Sequence, residues 1–231
     1  MIVSIHQPNF FPWLGYFNKV FLSDKFVYLT EAQRSKNDKY LSRARIISNN
    51  QSIKILSVPI GSAQTSIDSI LLPEDKKWKQ KFLNSISEAY RYSIFFDQIY
   101  NDIEMLIKFK CKNFDQLSIH INNFFFTKFN IDTLIHIDKQ FDVDFGFSNQ
   151  RNISICKHLG AKKYLSGTGA AAYNDLKLFD KNNLELIYQN FNLKAYPQNA
   201  LNFIGGLSII DALFNCGYAS TEELIKQKNS N

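Results

Sequence analysis

The sequence predicts an α/β fold, because short apolar runs alternate with segments of helical periodicity from the first residues onward. Ile2 to Ile5 is a β-branched run that meets Pro8 and Pro12 at once, as a buried strand followed by a rigid loop does. Trp13 to Leu22 has helical spacing, and Phe26 to Leu29 is a second strand. Strand, loop, helix and strand in this order begin a parallel sheet. The predicted core is therefore a parallel-sheet, Rossmann-like one.

Two additions to this core are predicted from the middle of the chain. The segment from Lys39 to Leu56 contains Arg43-Ala44-Arg45-Ile46-Ile47 and an Asn-rich turn, and Ile53 to Val58 follows. Apolar runs on both sides of such a turn indicate a small hairpin. Residues 73–130 are predicted to be an added, largely helical segment, with Pro73 opening one helix.

The second half of the chain returns to alternating elements. The predicted strands are Thr133 to Ile137, Tyr164 to Ser166 and Leu184 to Tyr188, and the predicted helices are Asn149 to Leu159 and Leu207 to Phe214, the latter closed by Gly217. No repeat, low-complexity segment or long linker divides the sequence. We therefore predict a single domain over residues 1–231, with disorder at Gln227 to Asn231.

The charge balance narrows the class of ligand. The chain has 27 Lys and Arg against 21 Asp and Glu, a formal net charge of +6. A positive field favours anionic ligands such as nucleotides, nucleotide sugars, RNA or lipid headgroups. Solubility alone explains the lysines equally well. The basic residues are scattered along the sequence, with no run of the kind found in nucleic-acid-binding arms.

Cysteine usage and the N-terminus predict the compartment. Cys111, Cys156 and Cys216 are far apart and odd in number, as free thiols in a reducing compartment are. The start MIVSIHQPNFFPW has no basic and apolar regions of a signal peptide, and no apolar stretch reaches the roughly 18 residues that span a bilayer. We predict a cytoplasmic protein without stable membrane insertion, whose basic surface could associate with the inner face of the inner membrane. No metal-ligand spacing or cofactor motif is present, so no metal and no cofactor are predicted.

The segment IHQPNFFPWLGYF carries the first candidate site. His6 and Gln7 directly follow a buried strand, and ligands of open α/β sheets gather at the carboxyl ends of strands. Gly15 permits close backbone approach at the next helix, whose N-terminus can receive an anion. The alternative is that His6 bonds to the loop and the aromatic residues only pack.

Three further groups of residues are candidates. Arg43 and Arg45 leave the same face of a strand, which suits a diphosphate or a carboxylate, or else they are two solvated charges. YLSGTGAAAY, from Tyr164 to Tyr173, is either an anion nest or a plain tight turn. Asp211 interrupts an apolar helix, where a carboxylate costs free energy unless it is paired. It either holds an arginine or the His6 loop, or acts as a base.

These interpretations give one set of candidate residues. His6 and Asp211 are the candidate catalytic residues. The candidate substrate-binding residues are Gln7, Arg43, Arg45, Gly167, Thr168, Gly169, Tyr173 and Gln198.

The motifs, taken together, resemble a known family. IHQPNFFPWLGYF, RARI, SVPI, a helix around Trp78, LGAKKYLSGTGAAAY, YPQ and LSIIDALFNCG follow one another in this order. In this combination they resemble the WbqC-like family over almost the whole chain. In the family pattern an Asn often precedes each arginine, where this chain has Ser42 and Ala44. A proline before the LSIID run is replaced by Gly205-Gly206, so the detailed role of the arginine strand is in question.

The resemblance implies an enzyme of bacterial surface-polysaccharide biosynthesis of the O-antigen type. It implies an acyl or aminoacyl (glycyl) transferase that forms an amide on an amino sugar. Arg43 and Arg45 would hold the diphosphate, the loop from Gly167 to Ala170 a second anionic group, and His6 would deprotonate the sugar ammonium. Gln7 and Tyr173 would orient the sugar.

The implied partners are a nucleotide-linked or lipid-linked amino sugar, an activated acyl or aminoacyl donor, and other enzymes of the pathway. Two alternatives stay open. One is a non-catalytic binding or scaffold subunit of the glycan pathway. The other is a glycosyltransferase, although Asp142-Val143-Asp144 lacks the strand-end context of a metal-binding motif.

Overall fold

Five parallel strands form the central sheet of the computed structural model, which describes residues 1–34, 40–61 and 64–227. The described residues form seven strands in all, which are, in chain order, β1 (Ile2–His6), β2 (Lys25–Tyr28), β3 (Arg43–Ile47), β4 (Ile53–Ser57), β5 (Leu134–Ile137), β6 (Lys163–Ser166) and β7 (Glu185–Tyr188). The central sheet has the order β5-β2-β1-β6-β7, and β3 and β4 form a separate antiparallel hairpin. The predicted α/β fold with a parallel sheet, a helical segment and a small hairpin is confirmed.

Helices cover both faces of the sheet. The helices of the described residues are α1 (Leu14–Phe21), α2 (Lys77–Tyr90), α3 (Phe96–Lys108), α4 (Phe114–Lys128), α5 (Ser148–His158), α6 (Leu176–Lys181) and α7 (Ile209–Ile225). Because successive side chains of a strand point to opposite faces, Phe26 and Tyr28 of β2 join one core with α1 and α4. Val27 between them joins a second core with α5 and α6.

The order of the strands creates a switch point beside β1. The chain leaves β1 through α1 on one face of the sheet, and it leaves β6 through α6 on the other face. Since β1 and β6 are neighbours, their outgoing loops separate at the carboxyl edge. In open α/β sheets a crevice for ligands lies at this place.

Two predicted helix boundaries are wrong in detail. The helix predicted to open at Pro73 begins at Lys77. The helix predicted to be closed by Gly217 continues to Ile225. Gly217, at φ 71° and ψ −179°, forms a kink within it. The predicted hairpin start at Lys39 and the predicted disorder at residues 228–231 lie outside the described residues.

Replacing Gly217 tests this kink. Its backbone conformation is accessible essentially to glycine alone, and an added Cβ would lie 2.6 Å from Cε1 of Phe95. We expect Gly217→Ala to lower the free energy of unfolding by at least about 2 kcal/mol, from backbone strain and overpacking together. Urea denaturation measures it. Gly205→Ala is the matched control, since no atom lies within 4 Å of its added Cβ. Equal stability of the two variants would contradict the assignment.

Candidate functional site at the carboxyl edge of the sheet

His6 ends β1 at the switch point and is surrounded by aromatic rings. Its ring packs edge-on against Tyr16 at 4.9 Å and against Trp13 at 5.8 Å between centroids. Its Nδ1 lies 3.1 Å from the carbonyl oxygen of Gln7. A carbonyl can only accept, so we assign the proton to Nδ1 and leave Nε2 as an acceptor. The same Gln7 carbonyl also accepts from the Tyr16 hydroxyl.

The surroundings of His6 keep its imidazole neutral. The pKa of His6 is lowered to about 3, mainly by burial and also by the positive charge of Lys19, while the bond to Gln7 opposes the shift. From the sequence, His6 is assigned to deprotonation of a sugar ammonium, a role that suits a histidine with a pKa near neutral pH. The structure therefore supports a neutral hydrogen-bond acceptor at this position more strongly than a general base that stores a proton.

Lys19 on α1 is a titratable group that the sequence analysis missed. Its side chain is buried, and its Nζ donates to the carbonyl oxygen of Ile5 at 3.0 Å. No carboxylate pairs with it within the described residues. Burial lowers the pKa of Lys19 to about 7. The signal in the sequence was a lone lysine inside the apolar stretch of Trp13 to Leu22, where every residue from 14 to 20 is buried.

Arg43 and Arg45 lie on the other side of Trp13. Both line a narrow notch with Trp13, Tyr40 and Gly206, and Arg45 Nη1 lies 3.4 Å from the Gly206 carbonyl oxygen. Trp13 therefore packs against His6 and also lines the arginine notch. The notch holds only about 10 Å³ of free volume, so a phosphate would rest on its rim.

Ser208, at the start of α7, fixes this arrangement. Its Oγ donates to the Phe11 carbonyl oxygen at 2.7 Å, and its amide donates to the Arg45 carbonyl oxygen at 2.8 Å. The amide of Ile209 donates to the Pro12 carbonyl oxygen. One helix start therefore holds both the loop after β1 and the arginine strand.

The loop after β6 is open to solvent. Nothing lies within 4 Å of a Cβ added to Gly167 or Gly169, and the amides of residues 167–169 donate no hydrogen bond to another described residue. Thr168 to Ala170 is a short 3₁₀ turn. Tyr173 is 79% exposed and belongs to the surface of this loop.

Side chains after β7 contact α1. Gln189 Nε2 donates to the Gly15 carbonyl oxygen at 2.8 Å and to Asn18 Oδ1 at 2.6 Å. A Cβ on Gly15 would lie 3.1 Å from Phe191, so the close approach predicted at Gly15 is made by side chains of the protein itself. Gln189 and Phe191 were not identified from sequence, because no motif marks a strand end that folds back on α1.

Asp211 and Gln198 lie apart from these residues. Asp211 is fully buried and accepts hydrogen bonds from the hydroxyls of Tyr90 at 2.7 Å and Tyr196 at 3.0 Å. Burial raises the pKa of Asp211, and the bonds to the two tyrosines oppose the rise. Gln198 uses both ends of its amide on the backbone of Ile204. These contacts support the structural interpretation of Asp211 over its interpretation as a base.

The far end of the carboxyl edge carries acidic residues. Asp138 follows β5 and accepts from the backbone and hydroxyl of Thr30 at 2.8 and 2.7 Å, which ties the loop after β2 to the sheet. Asp142 and Asp144 line a neighbouring cavity of about 410 Å³ with Arg151. In the part of the chain that is described, no three His, Cys, Asp or Glu side chains are placed to hold a metal ion.

Comparison with known proteins adds the family. A model of the WbqC-like protein family matches residues 7–223, which include the His6-adjacent loop, both arginines and Asp211. The chain belongs to the WbqC-like protein family. This WbqC-like protein is similar to the uncharacterized protein Rv1507c of Mycobacterium tuberculosis, with 24% identity over 227 residues and 96% of each protein covered. No solved structure matches it. None of its described helices is long and apolar enough to cross a membrane.

The protonation of His6 in this WbqC-like protein can be measured directly. Because its folded pKa is about 3, we expect the ¹⁵N resonances of His6 to keep the neutral pattern, protonated at Nδ1, from pH 8 to about 4.5. His6→Gln assigns the signal. The folded pKa lies below the unfolded one, so His6 contributes stability above about pH 6.5 that is lost as pH falls toward 3. A titration midpoint near 6 would refute the neutral assignment.

Lys19→Met tests the burial of the lysine in the WbqC-like fold. A folded pKa of about 7 means that the unfolded state binds more protons between pH 7 and 10.5. We expect the variant to raise the free energy of unfolding by about 1–3 kcal/mol at pH 7, the lost bond to Ile5 offsetting part of the gain. The difference shrinks as pH rises toward 10. The exposed Lys177→Met is the control, and the idea fails if both variants behave alike.

Proposed function

We propose that this protein is an acyl or aminoacyl transferase that forms an amide on the amino group of an activated sugar, in bacterial surface-polysaccharide biosynthesis of the O-antigen type. The observation that carries the proposal is the position of Trp13 between a neutral imidazole acceptor and two guanidinium groups, at the carboxyl edge of a parallel sheet. Family membership supports the glycan context.

The arginines suit the activated end of the sugar. Guanidinium forks bind diphosphates in paired hydrogen bonds, and Arg43 and Arg45 both face the rim of the same notch. Trp13 is partly exposed beside them and offers an apolar surface to a sugar ring. Gln7 directly follows β1, and Tyr173 lies at the end of the loop after β6. We assign both residues to orientation of the sugar.

His6 suits the amino group. The acceptor nitrogen must be neutral to attack an acyl carbon, and Nε2 of a neutral imidazole can accept one of its N–H groups. As the C–N bond forms, the bond from the acyl carbon to its leaving group breaks. The amine proton then passes through His6 to the leaving group. Because the pKa of His6 is about 3, the histidine orients and relays rather than stores the proton.

The free amides after β6 suit a developing negative charge. Backbone N–H groups without a partner stabilise an anion without reorganisation, and those of residues 167–169 donate no hydrogen bond to another described residue. They would bind a second anionic group of the donor or the oxyanion of the tetrahedral intermediate. The donor class is an activated acyl or aminoacyl group, and the acceptor is nucleotide-linked or lipid-linked. We propose action in the cytoplasm, at the inner face of the inner membrane for a lipid-linked acceptor, alongside other pathway enzymes.

One observation favours a second candidate function. A histidine whose pKa is lowered to about 3 is a weak base, which is consistent with a subunit that binds the amino sugar without turning it over. In that case the arginines and Trp13 hold the ligand for another pathway enzyme. A glycosyltransferase has no comparable support, since Asp144 accepts from the Gly146 amide and Asp142 lines the same cavity as the cation Arg151.

Ligand binding to the purified protein tests the acceptor site. UDP-, dTDP- and GDP-linked amino sugars are screened by thermal shift. One class is expected to raise the melting temperature by several degrees at a ligand concentration of about 100 times its Kd. Arg43→Ala/Arg45→Ala should weaken that binding roughly 100-fold through two lost charge-assisted contacts. Arg91→Ala/Lys181→Ala removes equal charge elsewhere and should change it less than twofold. Equal losses in both double variants would contradict the assignment of the notch.

Turnover then separates the two candidates. The selected sugar is incubated with acyl thioesters and with aminoacyl donors, and amide product is followed by mass spectrometry. The transferase proposal expects product, and it expects His6→Ala to lower kcat about 100-fold while the Kd of the sugar changes little. Tight binding without product from any donor would favour the binding subunit. Full turnover by His6→Ala would remove His6 from the mechanism.

A further inference from the structure

The connection between α3 and α4 meets α2 in a groove of about 650 Å³ that is rich in lysine. Five lysines line it and no carboxylate does; its lining residues are Lys76, Lys79, Gln80, Leu83, Lys108, Phe109, Lys110, Cys111 and Lys112. Two of the lysines come from α2 and its cap, and three come from a stretch some thirty positions later. The groove shares no lining residue with the notch beside Trp13.

The lysines of this groove are poorly neutralised. Lys108 pairs with Glu104 one turn earlier on α3, at 2.9 Å. Lys76, Lys110 and Lys112 form no ion pair with any residue of the described ranges. Like charges that face one concave space repel one another, so an anion bound there would relieve the repulsion.

Lys79 lies deeper than the others. Its Nζ donates to the Phe109 carbonyl oxygen at 3.1 Å and lies 5.6 Å from the centre of the Trp78 ring. Partial burial lowers the pKa of Lys79, and the neighbouring Lys76 lowers it further. A phosphate beside it would raise this pKa again, which is a favourable coupling between binding and protonation.

The floor of the groove is apolar. Leu83 is buried beneath it, and the partly buried ring of Phe109 stacks on His120 at 3.8 Å between centroids. Leu71, which is 68% exposed, precedes Leu72, whose amide donates to the Lys112 carbonyl oxygen at the edge of the groove. Pockets of this size with an apolar floor and a few polar groups are typical of small-molecule sites.

We propose that this groove binds a ligand that carries two or more phosphate groups on an apolar body. The lysines contact the phosphates, and Leu83 and Phe109 contact the body. Both a soluble coenzyme such as coenzyme A and a lipid with two phosphate groups in its headgroup, such as cardiolipin, have this chemistry. The inference does not depend on the proposed transferase activity, because it uses a different part of the molecule.

Three probes define the ligand class: coenzyme A, inorganic pyrophosphate, and vesicles that contain cardiolipin. Calorimetry or co-sedimentation gives each affinity. Alkylation of Cys111, followed by mass spectrometry, reports occupancy of the groove itself, with Cys216 as the internal reference outside it. We expect a bound probe to slow alkylation of Cys111 at least fivefold and to leave Cys216 unchanged. Protection by coenzyme A identifies a soluble ligand, and protection by vesicles alone identifies a lipid headgroup.

Matched charge variants make the test specific. Lys76→Ala/Lys110→Ala/Lys112→Ala should weaken binding at least tenfold, while Lys162→Ala/Lys177→Ala/Lys181→Ala, with the same net charge, should change it less than twofold. All six side chains are on the surface or its rim, and circular dichroism verifies folding.

Three results would overturn the proposal. The first is the absence of Cys111 protection by any of the three probes. The second is an equal loss of binding in the two triple variants, and the third is loss of coenzyme A binding in Arg43→Ala/Arg45→Ala, which would place it at the sheet edge. Equal affinity for pyrophosphate and coenzyme A would contradict the assignment of Leu83 and Phe109 to contacts with the body of the ligand.

Discussion

The chain leaves β1 through a loop that is buried from Pro8 to Pro12, and the satisfaction of that loop's backbone organises the rest of the molecule. A buried loop has no water to bond its amides and carbonyls, so protein groups must do so. Three distant segments supply them. The Phe10 amide donates to Leu41, Asn122 donates to the Asn9 carbonyl, and Ser208 donates to the Phe11 carbonyl.

This arrangement explains why the added elements lie where they do. The hairpin entry, α4 and the start of α7 all bond to one five-residue loop, although Ser208 lies 197 positions from Phe11 in the sequence. Phe11 has a left-handed backbone at φ 43°, a strained conformation for a phenylalanine. Its ring stacks on Phe82 and meets Phe125, and that packing holds the strained residue in place. Because the loop is fixed, His6 before it and Trp13 after it are fixed as well.

The same burial determines the electrostatics of the sheet edge. Burial lowers the pKa of both His6 and Lys19, and the positive charge of Lys19 further disfavours a charge on His6. The edge therefore presents a neutral imidazole against Trp13, with the two permanent cations of the arginine notch on the other side of that ring. In the proposed function, the imidazole accepts from an uncharged amine and the guanidinium groups bind an anionic group next to it. The charge of +6 is also unevenly distributed, since five lysines face one groove.

The sequence by itself determined the α/β class, the strand positions and the polar residues at the end of β1. These follow from local periodicity and from Pro and Gly positions, which act within a few residues. It also indicated Arg43 and Arg45 as a same-face pair, since side chains alternate along a strand. The tertiary structure alone decided that Trp13 joins this pair to His6, that Asp211 bonds to Tyr90 and Tyr196, and that Lys19 is desolvated. Each of these depends on packing between segments far apart in the chain, and the pKa values and the lysine groove depend on burial and proximity, which no local pattern contains.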